Sequence, residues 1–209
     1  SIKNFDWKLW AVLCVTLLIP AAYQTVRIFF LGDMPNDWGL NIASQLAWVN
    51  LIYEIIQEAF ILPLFFLLGK ALDSKEELEN KTRTGLLVSG GTYFILSIII
   101  VIFARPLCQF MASDPNTLDA TVHYIRLESI ASTISILVKY ITVLLVTLKK
   151  EKYMYIILAV QTVLSIIFDM FLISGLSFSA KLGVNGIAIA NIITSVVSIT
   201  LVLLMLNKE

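Results

Sequence analysis

Charged and hydrogen-bonding side chains recur at helical spacing inside otherwise apolar stretches of this chain. Glu54 and Glu58 are four residues apart and share one face of a helix. Glu128, Ser132, Ser135, Lys139 and Thr142 step by four, three, four and three, which draws one polar stripe along a single helix. Gln161, Ser165 and Asp169 step by four, Tyr23 and Arg27 are four apart with Gln24 beside them, and Asn191, Thr194, Ser195 and Ser198 share a side. Arg126 lies two positions before Glu128. A charge at the centre of a membrane helix costs roughly 2.5–3.5 kcal/mol on insertion scales, so such groups turn to a bundle interior or a wet cavity and find partners. The stripes therefore predict an enclosed polar cavity. Within it Glu54, Glu58 and Glu128 are expected to balance Arg27, Arg126 and Lys139. Asp169 is then left over, a net negative charge able to hold a proton or a cation and to attract a cationic solute. The plainer readings are structural ion pairs between helices, arginines that snorkel from near the helix ends, and hydroxyls that serve only as helix–helix contacts. His123 reads as an interfacial residue.

The elements that position these groups must be membrane helices. Of 209 residues 58% are hydrophobic and 14% charged, against roughly 45–50% and 25% in soluble domains. A span of the hydrocarbon core takes about 20 apolar residues. The apolar runs predict six: 9–31, 42–69, 84–105, 117–148, 153–175 and 184–206. The segment Gly32–Asn41, rich in Gly, Pro, Asn and Asp, breaks the first from the second. Ser74 and Glu77 have capping-box spacing, which predicts a short surface helix leading into the third span. Asp114-Pro115 reads as an N-cap and first-turn proline of the fourth. With a cytoplasmic N-terminus, the inner segments hold ten Lys and Arg and the outer loops only Arg105 and Lys181. That bias places both termini in the cytoplasm. The 15 basic and 15 acidic residues cancel, so no electrostatic footprint for nucleic acid exists. Cys14 and Cys108 fall near opposite membrane faces, which argues against a disulfide, and nothing suggests a metal site. Catalytic signatures such as HExxH, Gly-x-Ser-x-Gly or a phosphate-binding glycine loop are absent from the sequence, so an enzyme is not expected.

Four segments together resemble the N-terminal half of the multidrug and toxic compound extrusion (MATE) transporters, within the superfamily of polysaccharide and lipid flippases. They are Leu18-Ile19-Pro20 with Leu31-Gly32; Gly69-Lys70-Ala71-Leu72-Asp73; Ser113-Asp114-Pro115 with Ala120 and Tyr124; and Phe168-Asp169 with Leu172-Ile173-Ser174-Gly175, followed by Leu182-Gly183-Val184-Asn185-Gly186-Ile187-Ala188-Ile189-Ala190. The resemblance implies an all-α bundle of six transmembrane helices, one lobe of a transporter that works by alternating access between two such lobes. It implies secondary active efflux driven by proton or sodium entry, with no other cofactor. Asp169 matches an aspartate on the fifth helix that many members use in cation coupling. Two positions depart from the family pattern: the aspartate often found on the first helix is here Arg27, and the asparagine four residues before the helix-five aspartate is here Ser165.

The expectation that follows is a multi-pass protein of the plasma membrane that exports small amphipathic, cationic drugs or metabolites. Six helices are half the family's twelve, and an even number of crossings lets two lobes sit in one orientation. The expected partners are the lipid bilayer, a small-molecule substrate and a second six-helix lobe, as a homodimer. The ion-coupling residues are expected among Asp169, Glu54, Glu58 and Glu128, and the cavity among Tyr23, Gln24, Arg27, Arg126, Ser132, Ser135, Lys139, Gln161, Ser165 and Asn191. The alternatives are a lipid-linked or metabolite flippase of the same superfamily and a non-transporting membrane assembly or sensor module.

Overall fold

The computed structural model describes residues 38–111 and 115–206, and before them positions 7, 10, 11, 14, 18, 19, 21–23 and 25–27, all of the latter helical. Five continuous helices follow: α1 (Trp38–Lys70), α2 (Lys75–Phe110), α3 (Leu118–Thr147), α4 (Glu151–Leu172) and α5 (Val184–Leu206). No strand occurs among the described residues. All five helices are long and apolar enough to cross a membrane.

The caps explain where the helices begin and end. Ser74 accepts a hydrogen bond from the Glu77 backbone N–H at 3.4 Å, while Glu76 and Glu77 occupy the first turn of α2, where carboxylates favour the helix dipole. Glu77 also pairs with Lys81 at 2.6 Å. The expected separate surface helix does not exist. Its residues are the first turns of the 36-residue α2, which at 1.5 Å per residue runs about 54 Å and so extends well beyond a hydrocarbon core of about 30 Å. The start of α3 also differs from expectation. Thr117 is its N-cap, without a side-chain cap bond, and its carbonyl takes both the backbone N–H (2.9 Å) and the hydroxyl (2.8 Å) of Thr121. Pro115 stands in the preceding turn rather than in the helix, and Asp114 lies outside the described residues. The basic turn after α3 closes through Lys149, in the left-handed region at φ 56°, with Lys150 N–H donating to Leu145 O at 2.8 Å.

The axis of the bundle is α3, which packs against every other helix. Its buried residues Val122, Tyr124, Ile125 and Ile136 meet Leu46, Val49 and Tyr53 of α1, Tyr93, Ile100 and Ala104 of α2, and Ile187 and Ala188 of α5 in one cluster. Lower on α3, Tyr140 and Val143 pack against Leu64 and Leu68 of α1, while Val138 and Leu145 meet Ile157 of α4 and Val202 of α5. The opposite faces carry exposed apolar side chains, such as Leu87, Phe94, Ile98 and Ile102 on one side of α2. An apolar core wrapped in an apolar surface is the arrangement a lipid solvent selects, because side chains gain nothing by hiding from acyl chains. Both cysteines are free thiols.

Candidate functional site

The polar residues of four helical segments converge inside this bundle. Arg27, from the N-terminal segment, and Asp169, near the C-terminal end of α4, are both buried, at 4% and 0% exposure. The guanidinium engages the carboxylate as a fork: Nε donates to Oδ2 at 2.9 Å and a terminal nitrogen donates to Oδ1 at 3.2 Å. Two-point geometry of this kind adds direction as well as energy to an ion pair. The Tyr23 hydroxyl donates to the same Oδ2, and the Arg27 guanidinium lies 4.8 Å from the centre of the Tyr23 ring. One tyrosine thus holds the acid with its hydroxyl and the base with its π face.

Asn191 of α5 extends the cluster. Its Oδ1 accepts from the second terminal nitrogen of Arg27 at 3.1 Å, and its Nδ2 donates to Oε1 of Glu128, on α3, at 3.0 Å. The amide is therefore read in both directions, with its oxygen toward the cation and its nitrogen toward the acid. The other oxygen of Glu128, Oε2, is enclosed and meets no hydrogen-bond partner among the described residues. Tyr124, buried one turn before Glu128, lies within electrostatic reach of Glu128, Arg27 and Asp169. Ser165, one turn before Asp169, is buried as well.

A second polar knot lies beside the first. The hydroxyl of Ser97 on α2 donates to the Ser129 carbonyl at 2.9 Å and sits 2.8 Å from the Tyr53 hydroxyl and 2.6 Å from that of Thr133. With its one proton directed at Ser129, Ser97 accepts from Tyr53 and Thr133. The Tyr93 hydroxyl donates to the Tyr53 carbonyl at 2.5 Å. This knot ties α1, α2 and α3 with neutral groups and carries no formal charge.

The residues expected from sequence thus fall into two sets. Tyr23, Arg27, Glu128, Asp169 and Asn191 form one connected network. Glu54, Glu58, Lys139 and Arg126 are exposed on the surface of the bundle. Lys139 feels the charges of Glu58 and Glu54, but the ion pairs among the described residues are Arg27–Asp169, Lys81–Glu77 and Arg105–Asp119. The expected balance of glutamates against Arg27, Arg126 and Lys139 is accordingly different in detail. Asp169 takes Arg27 directly, Glu128 reaches it through Asn191, and Arg126 donates to the Val101 carbonyl at 3.2 Å. The stripe on α3 runs from half-buried Glu128, Ser132 and Ser135 to exposed Lys139, with the Ser135 hydroxyl turned back to the Ser132 carbonyl. Gln161 is half-buried, Gln24 lies outside the described residues, and His123 pairs at the surface with Asn185. The knot at Ser97 and the place of Tyr124 were not among the expected site residues. Their signal was a set of hydroxyls in apolar runs, which the sequence offers in many places.

Five helices able to cross a membrane, with an ion pair and three further polar side chains joined to it between them, define a multi-pass membrane protein with a polar core. The chain belongs to the MatE family, whose model matches residues 67–171. Its fold is similar to that in the crystal structure of a MATE in complex with MaD3S, with a TM-score of 0.72 at 18% identity over 91% of this chain and 43% of that one. It is likewise similar to the crystal structure of a MATE mutant, with a TM-score of 0.70 at 19% identity over 93% of this chain and 44% of that one. The chain therefore spans less than half the length of the structures it matches. No curated protein matches it.

Proposed function

We propose that the chain is one six-helix lobe of a secondary active transporter of the plasma membrane. In this reading it is not an enzyme. It exports small amphipathic cations in exchange for an inward-moving proton or sodium ion, with both termini in the cytoplasm. The observation that carries the reading is the network joining Arg27, Asp169, Asn191 and Glu128. Two carboxylates share one guanidinium inside a lipid-embedded bundle, so the site is one positive charge short of neutrality. Charges in such a place are expensive, and they persist where a function needs them. A site deficient by one positive charge takes either the coupling ion or a cationic solute, and exchange between the two is antiport.

The pathway forms against a second six-helix lobe, which we take to be a second copy of the chain around an axis along the membrane normal. Glu54 and Glu58 on α1 and Lys139 on α3 support this, because all three are exposed on membrane-spanning helices. Acyl chains cannot accept that face, whereas a water-filled cleft between two lobes can.

The test is transport by the full chain in proteoliposomes, with a fluorescent lipophilic cation trapped inside and a proton or sodium gradient imposed. Gradient-dependent dye movement, together with a crosslinked pair of chains in the same vesicles, is the expected result. Dye movement that ignores both gradients, or that accompanies a strictly monomeric species, overturns the reading.

A further inference from the structure

Within the network described above, the two carboxylates differ in what they have left to do. Asp169 has a donor on each oxygen. Its Oδ2 accepts from Tyr23 and from Arg27 Nε, and its Oδ1 accepts from the terminal nitrogen of the same guanidinium. A proton arriving there removes the negative charge that pairs with a guanidinium which itself stays charged. Glu128 is half occupied. Oε1 accepts from Asn191, while Oε2 is enclosed and touches no donor among the described residues. An enclosed carboxylate oxygen without a donor is among the most costly groups a protein can hold.

We infer that the cluster takes up its proton on Oε2 of Glu128, and that Arg27 serves as the fixed countercharge of Asp169. This assignment rests on the proposed ion-coupled function and names the residue that performs the coupling. The step is one O–H bond formed on Glu128 from a hydronium ion, which leaves as water. It removes the surplus negative charge and keeps Oε1 free to accept from Asn191. It disturbs neither bond of the Arg27–Asp169 fork.

The surroundings agree with this choice. The N-terminal segment brings Arg27 and Tyr23, α1 brings Tyr53, α4 brings Asp169 and α3 itself brings Tyr124. The contribution of α5 is the neutral Asn191. No charged group of α2 among the described residues contacts Glu128. Among the described residues the only cation in reach is Arg27, and its fork is already committed to Asp169. Loss of the proton from Glu128 leaves two carboxylates competing for that one guanidinium through a single amide. Asn191 is thus the positioning residue that carries the state of Glu128 to the helices holding Arg27 and Asp169.

The test uses infrared difference spectra of the full chain in lipid nanodiscs between acidic and alkaline buffer, in sodium-free salt. The expected result is a protonated-carboxyl band that titrates in the wild type, persists in the paired variant Arg27→Gln/Asp169→Asn, and is lost in Glu128→Gln. Glu128→Asp keeps a band but moves its frequency and midpoint, which decides the matter where Glu128→Gln does not fold. Loss of the band in the paired variant with retention in Glu128→Gln overturns the assignment, and so does a carboxylate signal that answers to added sodium but not to pH. The readout needs no transport. A Glu128 band in a protein that moves no dye upholds this assignment and ends the transporter reading, while proton-driven dye transport without that band does the reverse.

Discussion

Arg27 and Asp169 stand 142 positions apart in the chain and meet as a forked ion pair, with Nε 2.9 Å from Oδ2 and both side chains out of contact with solvent. The pair joins the first helical segment to the end of the fourth continuous helix. It is a direct two-point link across the site between elements that are distant in sequence, and the polar core is organised around it. A buried pair of this kind is a poor source of net stability relative to apolar packing, but removing one partner strands the other.

From that asymmetry, Arg27→Gln and Asp169→Asn are each expected to destabilise the chain by about 3–5 kcal/mol, and the double variant by clearly less than the sum. Arg27→Lys is expected to behave as a loss rather than a conservative change. A single ammonium cannot reproduce the two-point contact with Asp169 together with the bond to Asn191. Unfolding in mixed micelles by increasing fractions of a denaturing detergent measures all four. Additive losses would show that the two residues are not partners.

Much of this arrangement is legible before any coordinates. The helical spans follow from run length, because twenty apolar residues serve few other purposes. The stripes follow from spacing, because residues three or four apart share a face whatever surrounds them. Spacing alone cannot say which stripe meets which. Arg27 had three glutamates and an aspartate as possible partners. The choice of Asp169 depends on how α4 docks against the N-terminal segment, which is a tertiary matter. Nor does spacing separate Glu128, enclosed beside Asn191, from Glu54 and Glu58 on an open face. All three are acids in apolar runs, and only the packing of α3 at the centre of the bundle distinguishes them. The Ser74 cap was readable because its signal is local. The start of α3 was not, because Asp-Pro fits a turn as well as it fits a helix N-terminus.

The exposure of Glu54, Glu58 and Lys139 on membrane-spanning helices makes a labelling prediction. In a background lacking Cys14 and Cys108, cysteines at positions 54, 58 and 139 are expected to react with a membrane-impermeant maleimide several-fold faster than cysteines at 94 or 102. The latter positions face outward on the apolar side of α2. A cysteine at the buried position 165 is expected to react slowly too. Equal protection of 54, 58 and 139 would mean that no water reaches that face.

The neutral knot at Ser97 is expected to matter less than the ion pair, and by a measurable margin. Ser97→Ala removes a donor to the Ser129 carbonyl and an acceptor for Tyr53 and Thr133. Interhelical hydrogen bonds of this kind in membranes are worth about 0.6 kcal/mol on average and at most about 1.7. A loss within that range is expected in the micelle assay, with Thr133→Val smaller because Ser97 keeps its bonds to Ser129 and Tyr53 when the Thr133 hydroxyl is gone. A loss as large as that of Asp169→Asn would place the structural centre of the lobe at Ser97 rather than at the ion pair.

The last prediction concerns two glycines six residues apart on α2. A Cβ on Gly85 would come within 2.7 Å of the Leu64 side chain and 2.8 Å of the Tyr140 hydroxyl, while a Cβ on Gly91 would meet nothing within 4 Å. Neither neighbour of Gly85 can yield cheaply. Leu64 is buried against Leu68 and Val143. Tyr140 is 2% exposed and its hydroxyl donates to the Thr82 carbonyl at 2.6 Å, so moving it breaks that bond or opens the contact of α3 with α2. Gly85→Ala is therefore expected to cost about 1–3 kcal/mol through overpacking. Gly91→Ala is expected to stabilise by up to about 1 kcal/mol, because alanine loses less backbone freedom in a helix. The same substitution on the same helix should thus move the unfolding midpoint in opposite directions. Tyr140→Phe in the Gly85→Ala background should recover part of the loss, since it removes the atom in the way. If both alanines act alike, the close approach of α2 to α1 and α3 at Gly85 is not what requires glycine there.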